Sequence, residues 1–200
     1  MILASASPRR SLLLSEAGLR FQIEPAGVDE TLEAFAGPGG GPDPARVAEE
    51  LARRKARAVA AGYRGRPVQV LGADTVVALG RGEDTCLLGK PEGPDEARGM
   101  LRRLSGSTHR VVTGVCAIDA RSGAEHCAHE CTQVTMRPIA DAEVEAYVAS
   151  GEWRDKAGGY AIQETADAFV TALSGGGFDN VVGLPVQLSL ELLRRAGGDV

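Results

Sequence analysis

The sequence is short of lysine, of cysteine, of aromatic side chains and of any long apolar run, and each shortage removes a class of protein. No apolar stretch approaches the roughly 20 residues that span a bilayer. The first residues also lack the basic-then-apolar order of a secretory signal, so the expectation is a cytoplasmic protein with no membrane partner. Basic residues number 22 against 27 acidic ones, a formal net charge of −5, and no stretch gathers enough of them to form a nucleic-acid stripe. The four cysteines, Cys86, Cys116, Cys127 and Cys131, lack the density of a disulfide-stapled secreted domain, and free thiols are expected. The stretch His126-Cys127-Ala128-His129-Glu130-Cys131 has metal-ligand residue types, yet on a strand Cys127 and Cys131 stand roughly 13 Å apart at about 3.3 Å per residue. That is too far to share one zinc without a bend. Neither G-x-x-x-x-G-K-[ST] nor a G-x-G-x-x-G after a strand occurs, which removes the usual phosphate-loop and dinucleotide readings.

What is present describes an ordinary globular chain of 200 residues, 44% hydrophobic and 24% charged, enough for one domain or two closely joined lobes. Strand-like runs are "MILAS", "FQIEPAG", "VQVLGADTVVAL", "HRVVTGVCAID", "HECTQVTMRPI" and "DAFVTAL". Helical periodicity follows Ser7 and then covers about 44–61, 95–104, 141–149 and 185–196, with apolar residues three and four apart. This mixture predicts an α/β fold with a mixed sheet. The segment 36–44, "AGPGGGPDP", is too rich in glycine and proline for a regular element and reads as a mobile loop.

The charges raise a sharper question. Ser7 followed by Pro8 starts a helix, because the serine oxygen caps a free N–H and proline fits the first helical position. Arg9 and Arg10 come next, where the positive end of the helix dipole disfavours cations by a few tenths of a kcal/mol. Lysine occurs at three positions only, Lys55, Lys90 and Lys156, in a chain that otherwise writes its positive charge as arginine; a compact ammonium at these places matters more than a planar fork, unless they are chance on a solvated surface. Asp74 sits inside a near-continuous apolar strand, where a carboxylate is costly unless it meets a metal, a cation or hydrogen-bond donors. Two readings stay open for it, a strand-end turn cap and an acid at the mouth of a cleft. The glycine clusters in "DKAGGYAIQ" and "SGGGFDNVVGLP" allow close backbone approach to a ligand. Cations, a costly carboxylate and a helix start together suit a small polyanion.

In order along the chain stand "LASASPRRSLLL", "VDE", "LARRKARAV", "GADTVV", "LGKP", "EARGMLRRLSGSTHRVVTGV", "DKAGGYAIQ" and "NVVGLP". This series resembles the Maf family of nucleoside triphosphate pyrophosphatases from Leu3 to about Leu193. The resemblance implies a single Maf-like domain over 1–200, a long mixed twisted sheet in two lobes with the active cleft between them, and a homodimer. Carried onto this chain, it implies substrate binding by Ser7, Arg9, Arg10, Thr75 and Gln163, catalysis by Asp74, Lys55 and Lys90, and a divalent metal, Mg²⁺ or Mn²⁺, held by Glu30 and Asp74. It also answers the question of the two arginines, since the loop and helix start at "SPRR" bind the substrate's phosphates. Departures are the Gly/Pro insertion near 37–42, "QETADAF" after Gln163, and "SGGGFDN"; they touch loop closure and lobe geometry.

The reaction implied is hydrolysis of a nucleoside triphosphate to the monophosphate and pyrophosphate. Thr75 and Gln163 match the dTTP/UTP branch: a neutral amide offers an acceptor and two donors, as the edge of uracil or thymine requires. A flipped amide also suits CTP. A cationic 7-methylguanine gains from a carboxylate or from stacking, and aromatic residues make up only 4% of the chain. Glu164 is the acid nearest to Gln163, and on an extended segment it points the other way. The alternatives are a 7-methyl-GTP pyrophosphatase of the same family and a nucleotide-binding cell-division regulator without turnover.

Overall fold

The computed structural model describes residues 1–30 and 41–198. Its strands are β1 (Ile2–Leu3), β2 (Gln22–Ile23), β3 (Gln69–Leu79), β4 (Cys86–Leu88), β5 (Thr108–Asp119), β6 (Glu125–Met136) and β7 (Val170–Ser174). The helices are α1 (Pro8–Glu16), α2 (Pro44–Ala60), α3 (Pro94–Leu104), α4 (Asp141–Ser150), α5 (Phe178–Val182) and α6 (Val186–Arg195). One mixed seven-stranded sheet runs β2-β1-β3-β5-β6-β7, with β4 paired to β3 off this path. The predicted mixed α/β fold is therefore present.

Local chemistry starts the helices as expected. Ser7 accepts a bond from the backbone N–H of Arg10 with Pro8 opening α1, and Asp43 accepts from Ala45 N at 3.0 Å with Pro44 opening α2. Gly18 adopts φ +79° and ends the first of these, Leu19 N donating to Leu14 O. In α4, where Ala140 has no capping oxygen, Glu143 reaches back to the Ala140 N–H at 3.0 Å.

Packing is organised by β3 and β5, paired antiparallel along ten residues from Gln69↔Asp119 to Ala78↔Arg110. On one face, Leu71, Ala73, Val115 and Ala117 pack with Leu14 of α1 and Leu192 and Leu193 of α6. Farther along the same face, Val77 and Val111 join a second core with α3 and α4. The opposite face carries α2, whose buried stripe Val47, Leu51, Ala52, Ala56 and Val59 repeats at three and four residues. Two glycines set how deeply that helix lies. A Cβ on Gly72 would stand 2.4 Å from Ala52 O, and one on Gly114 would stand 2.2 Å from the Ala48 carbonyl carbon. No Cβ fits at those distances, so the sheet is bare where the helix backbone rests on it.

The partners of β3 also create an opening. On its other edge, β1 pairs with Val70 and Leu71, and β4 pairs with Val77 to Leu79. Between them, among the described residues, no strand flanks β3, and this open edge carries Asp74 and Thr75.

Several expectations need correction. The sheet includes β4, and α5 forms within "SGGGFDNVVGLP"; both are too short for periodicity to reveal. Cys116 and Cys127 are not free thiols: their strands place them directly opposite with Cα atoms 4.1 Å apart, and a disulfide joins them. Cys86 and Cys131 are unpaired. Sequence spacing does not reveal this pairing because it depends on the β5–β6 register. Of the glycine- and proline-rich segment, residues 36–40 lie outside the described residues.

Gly114→Ala should therefore push α2 off the sheet, lowering stability by about 1–3 kcal/mol or more as overpacking against backbone does. Denaturant unfolding measures this; wild-type stability in that variant would show that α2 is not seated on Gly114.

Candidate active site

The cleft at the open edge of β3 has a volume of about 430 Å³, and Ser7, Arg9, Arg10, Glu30, Lys55, Asp74, Thr75, Lys90 and Gln163 all line it. Residues separated by up to 156 positions in sequence thus meet in one space. They arrive from the start of α1, the segment after β2, the middle of α2, the open edge of β3, the loop after β4 and the turn that precedes β7.

Alternation along β3 sends Asp74 and Thr75 to opposite faces, and each finds a different environment. Asp74, on the α2 face, is 7% exposed, and its Oδ1 receives Lys55 Nζ at 2.5 Å. Lys55 is 6% exposed because it sits on the buried stripe of α2, one turn beyond Leu51. The same ammonium reaches Glu30 Oε1 at 2.7 Å, and Lys90 Nζ reaches Glu30 Oε2 at 2.8 Å. The result is an alternating series Asp74–Lys55–Glu30–Lys90. Burial opposes ionisation of Glu30, but hydrogen bonds and charge from both lysines hold its carboxyl down at about 2. Glu30 is therefore an anion throughout the neutral range. The costly carboxylate at Asp74 is accounted for by a buried cation, so the turn-cap reading is set aside.

Thr75 lies on the face toward α1 and α5. Its Oγ1 accepts from Arg10 Nη2 at 3.1 Å and stands 2.9 Å from Thr113 Oγ1. Arg10 is 8% exposed and also donates from Nε to Gly183 O at 2.7 Å and from Nη1 to Ser5 Oγ at 3.1 Å. Burial lowers its pKa, while the charges of Asp74 and Glu30 act in the opposite sense. Three of its five N–H groups are thus engaged by the protein, and two are left for a ligand. Arg9 makes no side-chain hydrogen bond or ion pair among the described residues. The two arginines differ in kind: Arg10 is built into the wall, and Arg9 stands ready at the rim.

Gln163 is exposed and lies in a turn rather than on an extended segment. Glu164 does not line the cleft; its carboxylate pairs with Lys156 Nζ at 3.1 Å. Lys156 does line the cleft, 8% exposed, and also donates to the Glu152 carbonyl, so it is no chance surface lysine. Sequence reasoning missed Ser5, Thr113, Asn180 and the pair His109–Tyr160. The strand alternation places Thr113 on an inward face, but only the register shows that its neighbour is Thr75. His109 is 1% exposed, with Nε2 2.8 Å from the hydroxyl of Tyr160, a cleft-lining residue.

No group of three or more His, Cys, Asp or Glu side chains able to hold a metal occurs among the described residues. Two carboxylates, Asp74 and Glu30, do converge on Lys55, and Asp74 Oδ2 has no hydrogen-bond partner there. Glu30 accepts from ammonium groups through both oxygens and Asp74 through one; as hard oxygen donors these two are the residues that would hold a divalent ion.

The sequence matches the family model described as Maf-like protein over residues 1–196. The chain belongs to the Maf family. Among this Maf chain's relatives, the dTTP/UTP pyrophosphatase of Pelotomaculum thermopropionicum is 47% identical over 201 residues, covering 100% of this chain and 98% of the relative. The dTTP/UTP pyrophosphatase of Moorella thermoacetica is 48% identical over 201 residues, covering 100% and 96%. That of Koribacter versatilis is 46% identical over 198 residues, covering 98% and 94%. No described helix of the chain is long and apolar enough to cross a membrane.

Burial pulls His109 from its ordinary 6.5 down to about 4. The unfolded chain then takes up the proton first as pH falls, so the part of the stability that depends on a neutral His109 declines from about pH 6.5 to about pH 4. The loss is on the order of 3 kcal/mol. His109→Gln should flatten the dependence in that window; an unchanged slope in urea unfolding across it would assign the acid sensitivity elsewhere.

Proposed function

We infer that the protein is a nucleoside triphosphate pyrophosphatase acting on dTTP and UTP, releasing the monophosphate and pyrophosphate. The observation that carries this is the meeting of a buried Asp74–Lys55 pair, two arginines at a helix start and a second lysine in one cleft, in a chain whose full-length relatives are named for that reaction. A binding module needs the cations; it has no use for a buried carboxylate that repels the phosphates it is meant to hold.

In this reading, the N-terminus of α1, Ser7, Arg9 and the two remaining N–H groups of Arg10 receive phosphate oxygens. Lys55 holds Asp74 by one oxygen, and the other orients or deprotonates water for attack on the α-phosphorus. The bond from that phosphorus to the bridging oxygen breaks, and its electrons leave with pyrophosphate. Lys55, Lys90, Arg9 and Arg10 stabilise the charge that develops there, the part of phosphoryl chemistry in which proteins contribute most. Asp74 and Glu30 are the residues that would hold Mg²⁺ or Mn²⁺. Such an ion, when bound, would neutralise phosphate charge. Thr75 and Gln163 face the base. The cytoplasmic setting and the homodimer belong to the same reading.

The deciding assay is pyrophosphate release from a nucleotide panel with and without Mg²⁺. We expect dTTP and UTP to be hydrolysed better than 7-methyl-GTP, ATP or GTP by one to a few kcal/mol, the order expected when buried polar groups lose their partners. If 7-methyl-GTP proves the best substrate, the base assignment is wrong; release from no nucleotide would leave the cleft a binding site. Asp74→Asn keeps size and should lower turnover at least about 10²-fold while nucleotide binding survives. Near-normal turnover in that variant removes Asp74 from the chemistry.

A further inference from the structure

Thr75 touches a hydrogen-bonded series whose direction is set at both ends. Thr113 lies directly opposite Thr75 on the neighbouring strand, fully buried, and its hydroxyl donates to the main-chain carbonyl of Asn180 at 2.9 Å. That carbonyl can only accept, so the single proton of Thr113 is spent there. Asn180 is itself fully buried and immobilised, its Nδ2 donating to Val111 O at 3.1 Å and to Thr132 Oγ1 at 2.8 Å. The neighbouring carbonyl, of Asp179, takes the N–H groups of both Gly183 and Leu184 at 3.0 Å. The Thr113 hydroxyl is thus the partner this structure supplies to Asn180 O.

At the other end stands the guanidinium of Arg10, which can only donate. Between a group that only donates and a carbonyl that only accepts, one arrangement satisfies every member: Arg10 to Thr75, Thr75 to Thr113, Thr113 to Asn180. Thr75 therefore spends its proton inside the protein. One oxygen lone pair goes to Arg10, and the other remains for the cleft. Toward a ligand, Thr75 is an acceptor and nothing else.

We propose that Thr113 is a positioning residue that fixes Thr75 as a pure acceptor, so that the base site takes an imide N–H and turns cytosine away. This rests on the reading of Thr75 and Gln163 as base contacts. Uracil and thymine carry a donor at N3, and cytosine carries an acceptor there. Gln163 makes no side-chain hydrogen bond among the described residues, so its amide is free to turn and meets either pattern. Thr75 cannot turn while Thr113, its own proton engaged by Asn180 O, accepts the proton of Thr75. The distinction between UTP and CTP that a rotatable amide leaves open is made on the opposite strand, by a residue that touches no substrate.

The test compares kcat/KM for UTP, CTP and N3-methyl-UTP in the unmodified protein, in Thr113→Val, which keeps shape and removes the hydroxyl, and in Thr113→Ser, which restores it. In the unmodified protein we expect both CTP and N3-methyl-UTP to fall below UTP by about tenfold or more. In Thr113→Val the proton of Thr75 is released toward the cleft, and the UTP-to-CTP ratio should drop by about tenfold, mainly through KM, with Thr113→Ser recovering it. In a Thr75→Val background, Thr113→Val should leave the ratio unmoved. Equal losses for UTP and CTP in Thr113→Val would make Thr113 merely structural and overturn the proposal, as would an unchanged ratio. If Thr113→Val does not fold, the unmodified protein still decides: N3-methyl-UTP turned over within about threefold of UTP, or CTP equal to UTP, overturns the acceptor role. Failure to release pyrophosphate from UTP at all would instead overturn the functional reading beneath it.

Discussion

The contact between Lys55 and Asp74 organises this molecule. Removing a carboxylate and an ammonium from water costs several kcal/mol each, and their attraction offsets that cost only when the geometry is close and other hydrogen-bonding needs are met. Here the closeness comes from absent side chains. Bare backbone at Gly72 and Gly114 lets α2 lie directly on β3 and β5, and that depth brings an ammonium on the buried stripe to 2.5 Å from the strand carboxylate. A buried pair of this kind is weak support for stability. Its value lies in holding a carboxylate fixed at the edge of a cleft.

From that pair the rest of the site divides along the pleat of one strand. The α2 face of β3 carries the charged series through Lys55, Glu30 and Lys90; the opposite face carries the neutral hydroxyls of Thr75 and Thr113 and the end of Arg10. Chemistry on phosphorus and recognition of a base make opposite demands. The first needs strong charges that move little, and the second needs uncharged groups of known donor sense. In the proposed reading, two residues in a row that point to opposite sides would serve both, and the gap between β1 and β4 exposes them together.

The opening also explains the arginines at the helix start. Arg10 is held by a carbonyl and two hydroxyls, so its charge remains uncompensated by a contacting carboxylate. Arg9 lies beside it, and the dipole of α1 adds to the same positive field. Glu30 already lies across Lys55 and Lys90, which shows that these ammonium groups can share one carboxylate. A polyanion entering the cleft meets groups arranged for oxygen ligands.

Much of this was legible in the residues. The apolar periodicity of 44–61 and 95–104, the Ser-Pro start of α1 and the strand-like run 109–119 are local consequences of side-chain shape and backbone capping, and they survive in the fold. Motif order also led to the nine cleft residues, and the cost of a charge in an apolar strand led to a partner for Asp74. That this partner is Lys55, 19 positions away, only the seating of α2 on the sheet shows. Strand register and helix depth lay beyond the sequence, and they decided the rest: that Cys116 faces Cys127 and that Thr113, its own hydroxyl donating to Asn180 O, lies opposite Thr75. Local interactions choose helix or strand within a few residues, whereas a hydrogen bond between distant residues exists only once two strands have chosen their alignment, and a slip of one residue would turn each of these side chains to the other face.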